Sequence, residues 1–395
     1  MLKLYNNIMK KNNLISVIGL GKLGLPFSFF LAGHGFKIGG YDYNFKIKKN
    51  INKNSKNFEP FLNNYISKFK KKFFFKKNIN ELILNSNITF LVLPTPTNKN
   101  GSFSNSRIID CLNKISKILL KKKNTNHLIV ITSTVSPNSC DYFKSYMENK
   151  GLNSSKDFSI VYNPHFIAQG TTILNLEKPN LLLIGTDNDK SKKKINSFYK
   201  KIYSNQKIFK NTNFVESEIS KISINCYITT KISFANYISE ICEKINNSDA
   251  KVILDVIGED KRINHSYMKV GTKFSGPCFP RDNLALSNFT KKLNMNSYFA
   301  NANNKINSRQ SKRIVNILKK IFKKEKNSNI GIFGLTYKPD TNLIIDSQAD
   351  SLINEIYKTN IKFKKIFIFD KFLNKAQVKN YDKKLVYIHN LKKFY

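Results

Sequence analysis

The sequence predicts an α/β protein in which two doubly wound parallel-sheet domains are joined by a helical central domain. Three observations carry this. Short runs rich in β-branched residues, such as Leu14-Ile-Ser-Val-Ile18 and Leu128-Ile-Val-Ile131, recur with helical segments between them. From Glu216 to Asn246 there is no Pro or Gly, and apolar residues return at helical spacing through Ile219, Ile222, Cys226, Ile232, Ala235 and Ile238. A fresh βαβ-like unit then follows: Ile330-Gly-Ile-Phe-Gly334, a helix from about Ser347 to Tyr357, and Ile366-Phe-Ile-Phe369 ending at Asp370. The expected boundaries are 1–210, 211–308 and 309–395.

Size and composition agree with this. A chain of 395 residues is too long for one core, and a hydrophobic content of 41% supports packed domains rather than disorder. The five cysteines are odd in number, scattered, and show no CxxC or His-spaced pairs. That argues against a disulfide framework and against a zinc site, and fits a reduced cytoplasm. No apolar run reaches the roughly 18 residues of a membrane span, and the first 13 residues are polar rather than a signal peptide, so a soluble protein without membrane contact is expected. The formal net charge of +41 suggests a polyanion partner or, alternatively, a drift of the whole chain toward lysine. The lysines run from Lys10 to Lys393 without gathering on one segment, so nucleic acid is not the expected partner.

Taken in order, the first unit is the most informative. Leu14–Ile18 leads into Gly19-Leu-Gly21-Lys-Leu-Gly24, an apolar helical stretch through Ala32, and a second strand, Phe36–Tyr41, that ends at Asp42. This is a dinucleotide fingerprint in its required strand–helix–strand context. The first glycine makes the turn, the second lets backbone approach a pyrophosphate, and the third lets helix pack on strand, while the acid bonds the ribose 2′-OH. A carboxylate there repels a 2′-phosphate, so NAD is expected rather than NADP. Further strands at parallel-sheet spacing are Ile88–Leu93, Leu128–Ile131, Ser159–Tyr162 and Leu181–Ile184. Ligands of such sheets lie at the strands' carboxyl ends, which singles out Pro94-Thr95-Pro96-Thr97, Ser133-Thr134-Val135 and Asn163-Pro-His165-Phe166-Ile-Ala-Gln169. The basic stretch Lys46–Lys77, with Phe73-Phe-Phe75, reads as a solvated irregular insert.

Lys221 and Asn225 fall four apart on the long helix and share a face, a pattern equally ordinary on a solvated surface. A break is expected at Gly258. The segment Gly271-Thr-Lys-Phe-Ser-Gly-Pro-Cys278-Phe-Pro-Arg281-Asp282-Asn283 then sets one cysteine between two prolines and beside a charged pair. Pro277 and Pro280 make it a rigid loop, and a cation and a nearby helix N-terminus favour thiolate at Cys278. The competing reading is a buried structural cysteine. Helical sequence containing Arg309 follows. Gly334 and Lys338 lie just past a strand end, where either an anionic ligand or a plain β-turn fits.

The order of these signals resembles the UDP-glucose/GDP-mannose dehydrogenase family. The resemblance runs nearly end to end: Gly19-x-Gly21-x-x-Gly24 with Asp42, Pro94-Thr-Pro-Thr97, Ser133-Thr134-Val135, Asn163-Pro-x-Phe166, Lys221-x-x-x-Asn225, Gly276-x-Cys278-Phe-Pro-Arg-Asp282, and Gly334-Leu-Thr-Tyr-Lys338-Pro-Asp-Thr341. It implies an N-terminal NAD domain, a helical middle that forms a homodimer, and a C-terminal UDP-sugar domain. It also implies oxidation of a UDP-hexose, UDP-glucose or a UDP-N-acetylhexosamine, to the uronate in two hydride transfers. By the same resemblance Cys278 is the nucleophile, Lys221 and Asn225 stabilise oxyanions and contact substrate, and Asp282, Thr134 and His165 handle water or protons. Gly19, Gly21, Gly24, Asp42, Thr95, Pro96, Ser133, Thr134 and Arg281 hold NAD, and Phe166, Phe274, Gly276 and Lys338 hold the substrate. No metal is implied.

Several positions depart from the family pattern. His165 and Gln169 stand where glutamates are usual; His165, with a free pKa of about 6.5, can take over proton handling or mark a site with slower deacylation. Lys273 and Ser275 replace glycines before the cysteine, crowding the sugar or shifting the backbone. Ile345 replaces a frequent arginine, and Arg281 a commoner lysine. Two other readings therefore stand beside the first. One is a drifted, weakly active nucleotide-sugar or polyanion binder. The other is a two-electron dehydrogenase of the hydroxyacid or 6-phosphogluconate type, which has no use for a nucleophilic cysteine.

Overall fold

The computed structural model describes residues 14–51, 59–122, 125–325, 328–373, 383–388 and 390. The polar first 13 residues and part of the basic insert, residues 52–58, lie outside them. The chain forms two compact units, Met1–Lys221 and Ile222–Tyr395. Among the described residues no helix is long and apolar enough to cross a membrane, and no group of three or more His, Cys, Asp or Glu side chains is placed to hold a metal ion.

Unit 1 is built on one eight-stranded sheet of order β3-β2-β1-β4-β5-β6-β7-β8. Its strands are β1 (Leu14–Ile18), β2 (Lys37–Tyr41), β3 (Phe73–Phe75), β4 (Ser86–Leu91), β5 (His127–Ile131), β6 (Phe158–Tyr162), β7 (Leu182–Gly185) and β8 (Phe209–Thr212). β1, β4, β5 and β6 are almost wholly buried, as strands covered on both faces must be, which is why they read as continuous apolar runs rather than alternating ones. One face packs Phe27, Phe30, Phe90 and Phe198, and the other packs Leu112, Ile115, Phe143 and Tyr162. The order reverses between β1 and β4, so the crevice at the carboxyl ends of those two strands is the switch point of the sheet.

Two expectations are corrected here. The insert Lys46–Lys77 is not irregular throughout. It contains a 3₁₀ segment Phe45–Ile51 and a helix Leu62–Phe69, and its Phe73-Phe-Phe75 pairs with β2 as the sheet's edge strand. Phe73 is buried against Phe29, and that apolar anchor outweighs the surrounding lysines. The strand Leu182–Gly185 does not continue the parallel order: β7 pairs with β6 antiparallel, through Tyr162 and Gly185, and β8 then pairs with β7 in parallel. Spacing along the chain carries no direction for a strand reached by a crossover.

Unit 2 opens within the long helix Phe214–Cys242 and continues through helices Ala250–Glu259, Phe279–Lys292 and Tyr298–Lys324. The break expected at Gly258 falls one residue later: helix Ala250–Glu259 ends just past it, and a Cβ on Gly258 would stand 2.3 Å from His265 Nδ1. The loop around Cys278 becomes helical sooner than expected, because Pro280 sits in the first turn, where a missing N–H costs nothing. The unit closes with a three-stranded parallel sheet, β11-β10-β9: β9 (Ile330–Phe333), β10 (Ile366–Phe369) and β11 (Leu385–Tyr387). Helix Gln348–Tyr357 packs Ile353 and Ile356 on it.

Candidate active site

In unit 1 the glycine loop follows β1 directly. Gly19 has φ +92°, a region open to glycine, and a Cβ there would lie 2.2 Å from the Val92 carbonyl oxygen past the end of β4. At Gly24 a Cβ would lie 1.8 Å from the Gly19 carbonyl oxygen, so the helix Gly24–Gly33 can start where it does only with hydrogen in that place. Gly21 is different: nothing lies within 4 Å of the position its Cβ would take. The middle glycine thus keeps open ground beside a helix N-terminus, where backbone N–H groups and the helix dipole favour phosphate. These residues fit a dinucleotide pyrophosphate.

Asp42, buried at the end of β2, accepts the Leu20 N–H on Oδ2 and the Asn44 N–H on Oδ1, both at 2.8 Å. Each carboxylate oxygen has a second lone pair, which leaves acceptor capacity for a ribose hydroxyl. The other loops at the switch point are tied to one another. Ser133 Oγ donates to the Leu93 carbonyl at 2.6 Å and accepts the Leu93 N–H at 3.0 Å, and Thr95 Oγ1 donates to the Thr134 carbonyl at 2.8 Å. Ser133 and Thr95 are buried, Thr134 is half-buried, and Pro96 is exposed.

The loop after β6 is held by Asn163, which donates to the Leu183 carbonyl at 2.8 Å and accepts the Tyr199 hydroxyl. Beyond it, Lys221 Nζ donates to the His165 carbonyl at 2.8 Å and stands 4.2 Å from the centre of the Phe166 ring. His165 packs on Phe27, with ring centres 4.7 Å apart, and its Nδ1 is buried without a hydrogen-bond partner. Burial, with the nearby Lys221 charge, pushes the His165 pKa down to about 3. The imidazole is therefore neutral across the physiological range.

A further residue of unit 1 was not singled out by sequence. Glu218, fully buried and one turn before Lys221, accepts the N–H groups of Asn138 at 2.6 Å and Cys140 at 2.8 Å. Its only signal in sequence is an acid among apolar residues of a long helix.

In unit 2, Cys278 is exposed at the N-cap of helix Phe279–Lys292, and its carbonyl accepts the Asp282 N–H at 2.8 Å. Cys278 and Asp282 therefore share a face, one turn apart. Asp282, 1% exposed, accepts from Asn225 Nδ2 at 2.6 Å and lies 3.5 Å from Arg281 Nε. Helix Phe214–Cys242 thus carries both Lys221 and, one turn on, the partner of Asp282.

Phe274, buried, is clamped by Asn307, which accepts its N–H at 2.7 Å and donates to its carbonyl at 2.9 Å. Gly276 lies so close to Tyr337 that a Cβ would approach its Cδ2 to 2.4 Å. The cysteine loop is in this way packed on the turn that carries Lys338, whose carbonyl accepts the Thr336 and Thr341 hydroxyls. Lys273 turns to Asp346, with Nζ 2.6 Å from Oδ1, and Ile345 is exposed.

That turn repeats the geometry of the N-terminal one. Gly19 N–H bonds the Tyr41 carbonyl and Asp42 receives Leu20; Gly334 N–H bonds the Phe369 carbonyl and Asp370 Oδ2 receives Leu335 and Thr336.

A doubly wound sheet with this glycine loop at its switch point defines the class: the chain is an NAD-dependent oxidoreductase. Residues 13–203 match the NAD binding domain of the UDP-glucose/GDP-mannose dehydrogenase family and residues 215–309 its central domain, and the chain belongs to that family. The UDP-glucose 6-dehydrogenase of Rickettsia bellii is 29% identical over 349 residues, 87% of this chain and 78% of the relative. The UDP-glucose 6-dehydrogenase TuaD of Bacillus subtilis is 28% identical over 348 residues, 87% of this chain and 73% of the relative. The fold is shared with the UDP-glucose dehydrogenase of Pyrobaculum islandicum, at a TM-score of 0.87 and 22% identity over 97% of this chain and 87% of that one.

Proposed function

We propose that the chain oxidises the C6 alcohol of a UDP-hexose, UDP-glucose or a UDP-N-acetylhexosamine, to the uronate in two hydride transfers through a covalent adduct on Cys278. The observation that carries this is the exposed thiol at a helix N-terminus, one turn from a buried carboxylate that Asn225 already holds. NAD, when bound, would supply the hydride acceptor. Gly19, Gly21, Gly24 and Asp42 hold it, with Thr95, Pro96, Ser133, Thr134 and Arg281.

The first hydride leaves C6 as the hydroxyl loses its proton, and the aldehyde must then be retained while cofactor exchanges. Cys278 sulfur adds to the carbonyl carbon, forming a thiohemiacetal whose oxygen takes up a proton. Loss of that proton and of the second hydride gives a thioester. Water adds to the thioester carbonyl and expels the thiolate, leaving the carboxylate. Lys221 and Asn225 stabilise the oxygen whenever it bears charge. Asp282 takes protons from attacking water, and Thr134 orients it. His165, neutral at physiological pH, serves as an uncharged hydrogen-bonding group in this scheme. Phe166, Phe274, Gly276 and Lys338 line the substrate.

A homodimer is part of the proposal. Tyr227, Phe234, Tyr237 and Ile241 are exposed along one stripe of helix Phe214–Cys242, an apolar seam fit for a second copy. The five free cysteines accord with a reducing cytoplasm. A weakly active nucleotide-sugar binder is the second reading, favoured by His165, whose low pKa makes it a poor replacement for a carboxylate base. Incubation with NAD and a panel of UDP-sugars separates the two. Two NADH per sugar consumed, and loss of uronate formation in Cys278→Ser, are expected; no NADH with any sugar, or full activity in Cys278→Ser, refutes the mechanism.

A further inference from the structure

We infer that Glu218 is a positioning residue: as a carboxylate on the long helix, it fixes the far end of the Ser133–Thr134 loop. The inference rests on the proposed role of Thr134 in the reaction, and its first test below does not require turnover. Helix Ser139–Glu148 begins without a side-chain cap of its own, and its N-cap, Asn138, sits in the left-handed region at φ +70°. Glu218 supplies the cap from another element. Its Oε2 accepts the Asn138 N–H at 2.6 Å and its Oε1 accepts the Cys140 N–H at 2.8 Å.

The segment between Ser133 and Asn138 is thus pinned twice. At one end Ser133 and Thr95 hold it to the loop after β4; at the other Glu218 holds it to the helix that carries Lys221. An ionised carboxylate accepts on both oxygens, whereas the protonated form turns one of them into a donor facing an N–H. Burial pushes the Glu218 pKa up to about 7, with Asp141 adding to the rise and the Cys140 and Asn138 donors opposing it. Those groups belong to helix Ser139–Glu148 and its cap; on Glu218's own helix the nearest cation, Lys221, donates to the His165 carbonyl. The carboxylate form, with the loop pinned, therefore prevails above a pH of about 7 and is lost below it.

Hydrogen exchange reads the loop directly. Glu218→Gln is expected to exchange its amides across residues 133–140 at least about tenfold faster than wild type, with the rest of unit 1 unchanged; wild-type protection there overturns the inference. Steady-state NADH formation supplies the second readout. Wild-type kcat/KM should rise through an ionisation near pH 7 that disappears in Glu218→Gln, and a limb unchanged in that variant overturns the inference. Should Glu218→Gln fail to fold, wild-type exchange decides: protection across residues 133–140, corrected for the intrinsic pH dependence of exchange, should fall as pH drops through about 7, and protection independent of pH overturns the inference. A wild type that makes no NADH with any UDP-sugar sinks the proposed function while the exchange result still decides this one.

Discussion

Gly21 and Gly24 make opposite predictions although they sit in one motif. A methyl group at Gly24 would stand 1.8 Å from the Gly19 carbonyl oxygen, against an ordinary contact of 3.4 Å or more, so loop and helix must part by roughly 1.5 Å. Overpacking of that kind costs about 1–3 kcal/mol, which for a unit of this size lowers Tm by about 3–10 °C. NAD affinity falls with it, because the phosphate-facing amides move. A methyl at Gly21 meets nothing within 4 Å. Gly21→Ala should keep the wild-type Tm within about 1 °C, yet raise the dissociation constant for NAD about 10- to 100-fold, since the methyl occupies the ground a pyrophosphate needs. Differential scanning calorimetry paired with calorimetric NAD titration reads both quantities. A Gly21→Ala variant that melts as early as Gly24→Ala, or that binds NAD like wild type, contradicts this assignment of the two glycines.

Three further outcomes are expected. Asn163→Ala strips partners from the buried Leu183 carbonyl and Tyr199 hydroxyl and should cost about 2–4 kcal/mol in chemical denaturation; a loss below about 0.5 kcal/mol contradicts that accounting. Asn225→Ala takes one donor from the Asp282 carboxylate and, in the proposed mechanism, the oxyanion contact of Asn225, so kcat should drop about 100-fold with the circular dichroism spectrum intact. Tyr227→Glu with Phe234→Glu places charge on the exposed stripe; light scattering should then report half the wild-type mass, and an unchanged mass rules that stripe out as the dimer seam.

Much of the scaffold was legible because its signals are local. A β-branched run, a glycine spacing and a strand-end acid lie within 29 residues, Leu14 to Asp42, and the structure gives each the geometry the pattern demands. The helix around Lys221 was likewise readable from its period, expected over Glu216 to Asn246 and found from Phe214 to Cys242. What could not be read depends on distant residues. Phe73-Phe-Phe75 looked like part of a basic insert because its partners, Phe29 and the edge of β2, come from other segments. His165 carried the promise of a group titrating near neutrality until Phe27 and Lys221 surrounded it. Glu218 gave no hint that its two backbone donors lie about 80 positions earlier in the chain.

The duplicated turn bears on how an acid at a strand end is understood. Asp370 engages the Leu335 and Thr336 amides much as Asp42 engages Leu20, yet its turn runs on through Pro339 and reaches no helix until Gln348. The shared carboxylate thus first ties the end of its own strand to the loop after the neighbouring parallel strand, whatever ligand comes later. Replacing either aspartate would loosen that tie between strand ends, and a lost affinity in such a variant says little about ribose. The two loops differ instead in what comes next: an immediate helix start at Gly24 after the first, and an extended turn through Lys338 and Pro339 after the second.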